Sequence, residues 1–318
     1  MSAQRAPLSD GRWHFQHGPI DIVIGAQGEP DAIRHAHQAA WQRFATVLTE
    51  LVDELPVLRQ AIPALPSISR ACSDFAPPPA PQLLRGAIAR RMWKACAPYR
   101  AGFITPMAAV AGAVAQELMT SYARPGIERA WVNNGGDIAL YLTPGQSVRV
   151  GLFADLAHLP AALKDAYSDS EDAEGLATDA QCEIDFSMPV RGIATSGWRG
   201  RSFSLGIADS VTVLAQTAAM ADAAATVIAN AVNVAHPSIM RRPACDIRDD
   251  SDLGSMLVTV GVPRLSSDQV RDALAAGQRK ADALTACGLI ESAVLVCQGQ
   301  FVQASRIDQN IFQYSLSS

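Results

Sequence analysis

Aromatic residues, paired cysteines, basic stripes and long apolar runs are all scarce in this 318-residue chain. Aromatics make up 6% of it, so a core must rest on the aliphatic side chains that bring the hydrophobic share to 49%. The formal net charge is -5, and the basic residues are scattered apart from short pairs such as Arg90-Arg91 and Arg241-Arg242. A nucleic-acid surface needs clustered cations to neutralise phosphates, with aromatics between them; nucleic acid is therefore not an expected partner. The six cysteines, Cys72, Cys96, Cys182, Cys245, Cys287 and Cys297, form no Cys-x-x-Cys pair. That excludes zinc-ribbon and thioredoxin patterns and leaves reduced, buried thiols as the expectation.

The segment Met1 to Trp13 holds Arg5, Asp10 and Arg12 and lacks the apolar stretch of a secretory signal. The most apolar run, Val211 to Ala235, is interrupted by Gln216, Asp222, Asn230 and Asn233. A membrane span needs about 20 consecutive apolar residues, so this run reads as buried core. No membrane is expected as a partner, and reduced thiols fit a cytoplasmic location. Neither a Gly-x-Ser-x-Gly elbow nor a Walker loop is present.

What remains is a pattern of strands and long helices. A strand is expected over His14 to Ile24 and a helix from Pro30 onward, with Ile33, Ala36, Ala40, Phe44, Val47, Leu48 and Leu51 at three- and four-residue steps. Residues 72–81 read as a Pro-rich loop, followed by helices at Leu83 to Ala95 and Met107 to Tyr122. Strands follow at Ala130 to Val132, Ile138 to Leu142 and Ser147 to Phe153, then an acidic loop at 165–174. Further strands are expected at Cys182 to Phe186, Gly192 to Thr195, Arg201 to Leu205 and Ser210 to Leu214, then a helix at Thr217 to Asn233. The last third adds a strand at Leu257 to Val262, a helix at Ser267 to Thr285, and strands at Ser292 to Cys297 and Gln300 to Ala304. Hairpins mixed with long helices imply an α/β (α+β) fold with largely antiparallel sheets, not a doubly wound parallel one. Residues 1–318 read as one domain or as two intimately packed halves.

Three segments break local expectation. In Asn133-Asn134-Gly135-Gly136-Asp137 the glycines allow positive φ and close backbone approach, and the asparagines offer donors and acceptors. An ordinary hairpin turn explains the same residues and is favoured on this segment alone. Gly192-Ile-Ala-Thr195-Ser196-Gly197-Trp198-Arg199-Gly200-Arg201-Ser202 can wrap an anion or form a plain glycine-rich turn. The third segment places Asp222 and Thr226 four residues apart on an apolar helix, so both oxygens reach one ligand. A carboxylate there needs compensation, either by capping a helix start or by a divalent cation; few carboxylates with hard oxygens suit Mg²⁺.

Taken in order, Thr105-Pro-Met-Ala108-Ala-Val-Ala-Gly112, Asn133 to Asp137, Thr195-Ser-Gly197, Ser210-Val-Thr-Val213 and Ala221-Asp222-Ala-Ala-Ala-Thr226 resemble the ApbE-like superfamily of FAD:protein FMN transferases. The likeness covers roughly Thr105 to Asn233 and extends, through Gly18-Pro19-Ile20, to a cytosolic branch of that superfamily. It implies an ApbE/T-fold-like architecture and Mg²⁺ held by Asp222, Thr226 and the Ala108 carbonyl. It also implies flavin or phosphate contacts from Asn133, Gly135, Gly136, Asp137, Thr195, Ser196 and Gly197. The implied cofactors are Mg²⁺ with FAD or FMN, and the implied partners a small flavin or phosphate ligand and a protein acceptor if the chain is a transferase; a homo-oligomer is compatible with the sequence but not read from it. Two positions depart from the pattern. Ala111 stands where the family's helix carries lysine, and no His-x-x-Asp-Pro precedes Ser210. A transferase and a flavin-, pterin- or nucleotide-binding protein without turnover are both compatible with these residues, and His14, His17, His35 and His37 are equal candidates for a base.

Overall fold

A computed structural model describes residues 2–64, 79–152, 180–307 and 312–314. The acidic loop at 165–174 lies outside the described residues, as does most of the Pro-rich loop; residues 79–81 carry no helix or strand. The chain divides into two compact units, the first Met1–Gln146, Phe186–Ala194 and Ala215–Ala224, the second Ser147–Asp185, Thr195–Leu214 and Ala225–Ser318.

In the first unit, β1 (Gln4–Pro7), β2 (Trp13–His17), β3 (Ile20–Gly28), β4 (Ile127–Asn134), β5 (Asp137–Leu142) and β8 (Gly192–Ser196) run in the order β1-β2-β3-β4-β5-β8. Every pairing is antiparallel, including β5–β8, where Ile138 faces Ile193. The single strand expected over His14 to Ile24 is instead a hairpin, because Gly18 takes a positive φ of 58° and His17 turns back to face Ile20. Helix α1 (Pro30–Leu58) buries Ala36, His37, Ala40, Phe44, Val47, Leu51 and Leu58, a stripe at three- and four-residue spacing. Pro30 begins it where a missing N–H costs nothing. Helix α2 (Ala87–Cys96) starts later than Leu83, since the Arg85 and Gly86 amides donate to Glu54 Oε1, both at 2.7 Å. The expected helix from Met107 to Tyr122 is in two parts: a 3₁₀ turn, Pro106–Ala109, and α3 (Val110–Met119).

The second unit carries β9 (Ser210–Ala215), β12 (Ser292–Cys297) and β13 (Gln300–Ser305), again antiparallel, with α5 (Ser267–Ala286) over them. A capping box of Ser266 and Gln269 starts α5. Separate small sheets pair β10 (Met240–Pro243) with β11 (Leu257–Gly261), and β6 (Ser147–Leu152) with β7 (Ala180–Asp185) and β14 (Phe312–Tyr314). No strand forms at Arg201 to Leu205. The Leu205 N–H donates to Asn230 Oδ1 at 2.8 Å and the Gly206 N–H to Ser204 Oγ at 3.1 Å, so these backbone donors go to side chains and not to a ladder. Helix α4 (Ala218–Ala231) runs on from the first unit's segment Ala215–Ala224. Among the described residues no helix is long and apolar enough to cross a membrane. Cys96, Cys182 and Cys297 are free and buried and Cys245 is free and half-buried, whereas Cys287 is disulfide-bonded, against the expectation of reduced thiols throughout.

Candidate functional site

The start of α3 and the first turns of α4 approach so closely that only glycine fits at position 112. A Cβ there would lie 2.3 Å from the Ala218 carbonyl oxygen and 2.9 Å from Asp222 Cβ. The Gly112 N–H, three residues into α3, donates to Asp222 Oδ2 at 2.9 Å. Helix α3 has no side-chain cap of its own, and the first N–H groups of a helix lack intrahelical acceptors. Asp222, 110 residues further on, supplies one. Capping was anticipated, but for the helix that bears Asp222; that helix already begins at Ala218, where Thr217 Oγ1 accepts from the Met220 N–H at 3.3 Å.

Burial pushes the Asp222 carboxyl up to about 7, against the amides of Gly112 and Ala111, which favour the charged form. The residue as a whole is only half-buried, so it is the carboxyl group that is removed from water. The Gly112 N–H given to Asp222 is also the one that would reach back four residues to the Ala108 carbonyl in an unbroken helix. The 3₁₀ turn breaks that continuity, with Ala109 at φ −128° and ψ 16°. Thr226, one turn beyond Asp222, is half-buried. Its hydroxyl makes no hydrogen bond among the described residues, unlike that of Thr285, which returns to the Ala281 carbonyl.

The Asn-Gly-Gly-Asp segment is the turn between β4 and β5. Asn134 faces Asp137 across it, and Gly135 and Gly136 take φ of 66° and 110°, the left-handed pair that a two-residue hairpin turn demands. Asn133 Oδ1 accepts from the Gly136 N–H at 2.8 Å and so stabilises its own turn. Asp137 is half-buried at the start of β5. Sequence reasoning passed over Asn134. It is 3% exposed, and its Nδ2 donates to the Ala111 carbonyl at 3.1 Å. The signal was available: Ala130, Val132 and Asn134 alternate onto the buried face of β4.

Thr195 and Ser196, the last two residues of β8, and Gly197 after them fall in the second unit. Thr195 Oγ1 bonds Thr212 Oγ1 at 2.9 Å. Gly197 is buried where a Cβ would meet the Asp209 carbonyl at 2.3 Å, so glycine is required by close backbone passage. Trp198 Nε1 donates to Asp209 Oδ1 at 3.1 Å, and Asp209 Oδ2 accepts from the Gln298 N–H in the β12–β13 turn. Of the histidines, His37 is a core residue. Its Nδ1 lies 2.6 Å from the Tyr122 hydroxyl and burial lowers its pKa to about 4, which makes it a weak base. His35 lines an open groove of about 460 Å³ with Ala32, Thr120, Ala123, Arg124 and Pro125. None of the residues expected to hold metal or flavin lines that groove. Among the described residues no three His, Cys, Asp or Glu side chains gather.

Comparison with known protein families places the chain in the ApbE-like superfamily. More narrowly, the family described as AbpE bacteria matches residues 5–303, and the chain belongs to it. Curated relatives include a UPF0280 protein of Methanospirillum hungatei, 34% identical over 196 residues, which cover 61% of this chain and 69% of the relative. UPF0280 protein MK0206 of Methanopyrus kandleri is 36% identical over 165 residues, 51% of this chain and 56% of the relative. The chain spans little more than half of that second relative. Among solved structures, the apo flavinyl transferase ApbE of Pseudomonas stutzeri is 14% identical over 96% of this chain and 93% of that one, with a TM-score of 0.39. The ApbE protein of Thermotoga maritima is 13% identical over 96% of both chains, with a TM-score of 0.40.

Proposed function

We propose that this chain is a Mg²⁺-dependent protein that acts on a flavin or a related phosphate-bearing substrate. The carrying observation is the Asp222 carboxylate, withdrawn from water and bound by helix-start amides, with the Gly112 amide drawn off the Ala108 carbonyl. The donor set fits the ion. Asp222, Thr226 and Ala108 offer hard oxygens only, and a single carboxylate suits a cation that keeps waters and shares substrate phosphates. When bound, Mg²⁺ would offset negative charge building on a pyrophosphate. The protein's own part is positional. The Gly112 amide holds the carboxylate through Oδ2, and the amides of Gly112 and Ala111 favour its charged form. In the reaction the superfamily is named for, an acceptor Ser or Thr oxygen bonds the FMN phosphorus, the anhydride bond breaks, AMP leaves with the electron pair, and the hydroxyl proton passes to a base.

A second reading is a protein that binds flavin, pterin or nucleotide without turnover. It is favoured by Ala111 in place of lysine and by an irregular 197–209 loop without the His-x-x-Asp-Pro segment. Incubation with FAD and Mg²⁺, followed by AMP release and intact-protein mass, separates the two. Turnover that is lost in Asp222→Asn, with the fold kept, supports the transferase; flavin retained without AMP supports the binding protein. Asn keeps an acceptor for Gly112 but no charge, so an unchanged affinity for Mn²⁺ in that variant sinks the metal reading.

A further inference from the structure

Asn134 sits on the buried face of β4, where Ala130 and Val132 occupy the equivalent positions with apolar side chains. A polar residue there loses its hydration, and a lone hairpin would be served as well by valine. Its carboxamide is not free to turn. Nδ2 donates to the Ala111 carbonyl at 3.1 Å, and flipping the amide would set oxygen against oxygen. That assignment leaves Oδ1 buried without a hydrogen-bond partner among the described residues, a condition that disfavours the folded state. The bond to Ala111 lands on the peptide beside Gly112, whose N–H grips Asp222 Oδ2 at 2.9 Å. All four residues belong to the first unit.

We infer that Asn134 is a positioning residue for the Asp222 site: it holds the Ala111–Gly112 peptide in the orientation that presents its N–H to the carboxylate. The inference rests on Asp222 being a metal ligand, but its first consequence exists without metal. A fixed peptide gives a fixed hydrogen bond, and the carboxylate keeps one orientation from which a cation can be bound. The unpartnered Oδ1 is the mark of this role, since stability alone would have selected an apolar side chain of the same shape.

The experiment compares the full chain with Asn134→Leu, an apolar isostere, and Asn134→Asp, which keeps Oδ1 and loses the donor to Ala111. Three readouts are taken: the Gly112 amide proton resonance in metal-free protein, Mn²⁺ affinity by electron paramagnetic resonance, and the thermal midpoint. The Gly112 resonance is expected to move upfield in both variants as its bond to Asp222 lengthens. Mn²⁺ binding is expected to weaken about tenfold to a hundredfold, as when a metal ligand loses its supporting contact. The Asn134→Leu midpoint is expected to stay level or rise, which a merely structural asparagine would not allow. A Gly112 resonance unmoved in both variants overturns the inference, whether or not metal binds. Wild-type protein that binds no Mn²⁺ refutes the proposed function instead, and the amide resonance still decides the role of Asn134.

Discussion

Replacing Gly112 by alanine puts a methyl group into the space between two backbones. The new Cβ would lie 2.3 Å from the Ala218 carbonyl oxygen, 2.6 Å from its carbon and 2.9 Å from Asp222 Cβ. Ordinary contact between such atoms begins roughly 1 Å further out. The nearest obstacles are backbone atoms, so no side chain can swing aside, and α3 and the first turns of α4 must part. Overpacking of this kind costs about 1–3 kcal/mol, and the rigid obstacle puts Gly112→Ala at the upper end. The better helix propensity of alanine returns about 1 kcal/mol. The net loss is then about 2 kcal/mol, which lowers the midpoint of a unit this size by roughly 4–8 °C. The same separation lengthens the Gly112–Asp222 bond, so Mn²⁺ affinity should fall with stability. Gly102→Ala is the control: its Cβ would meet nothing closer than the Tyr99 carbonyl at 4.0 Å. Circular-dichroism melts of both variants settle the matter. If Gly112→Ala melts together with wild type and with Gly102→Ala, the helices do not pack as described.

Two further predictions concern pH and charge. His37 titrates near 4 in the fold, lowered by burial from 6.5. Between these values the unfolded chain binds the extra proton, so this contribution is complete above 6.5 and is lost as pH falls toward 4, by up to about 3 kcal/mol. Urea titrations of wild type and His37→Phe should therefore converge on acidification, and curves that stay parallel from pH 7 to 4.5 would contradict the assignment. Glu117 accepts from Arg43 Nε and Arg91 Nη1, each at 2.8 Å. Desolvation raises its pKa, but the two arginines outweigh it and the net shift is downward; the stabilisation holds above the unfolded carboxyl pKa and fades as pH falls through the folded one. Glu117→Gln should cost about 1–3 kcal/mol at neutral pH, read as a lower urea midpoint, and an unchanged midpoint would show the cluster to be ornamental.

Much of the architecture could be read in the residues because each local signal agreed with the fold. The stripe Ala36, Ala40, Phe44, Val47 gave α1, Asn-Gly-Gly-Asp gave the β4–β5 turn, and Ser266 with Gln269 starts α5. The expectations that failed were those decided by tertiary partners. Arg201 to Leu205 has strand-like composition, but its neighbouring donors are taken by Asn230 and Ser204. The delayed start of α2 depends on Glu54, more than 30 residues earlier. At the candidate site, Asp222 and Thr226 were visible as one helical face, and the run of small residues around Gly112 announced a close approach. That the approach is made by Asp222 itself is a property of packing. Asn134 lay in the middle of a recognised motif, hidden by the glycines and asparagine that explain the turn without it.

The contact between Gly112 and Asp222 also carries a consequence for the order in which the chain acquires its structure. Its partners are 110 residues apart, and closing so large a loop must precede any benefit from the bond. Chain growth delivers α3 long before its cap. Until residue 222 has been made and α4 has docked, the Gly112 N–H at the start of α3 lacks its Asp222 acceptor, while the Asn134 carboxamide is already in place on the Ala111 carbonyl. The Asp222 carboxylate is thus a late arrival that completes a helix begun much earlier, and the contact matures only when the two ends of that long loop meet.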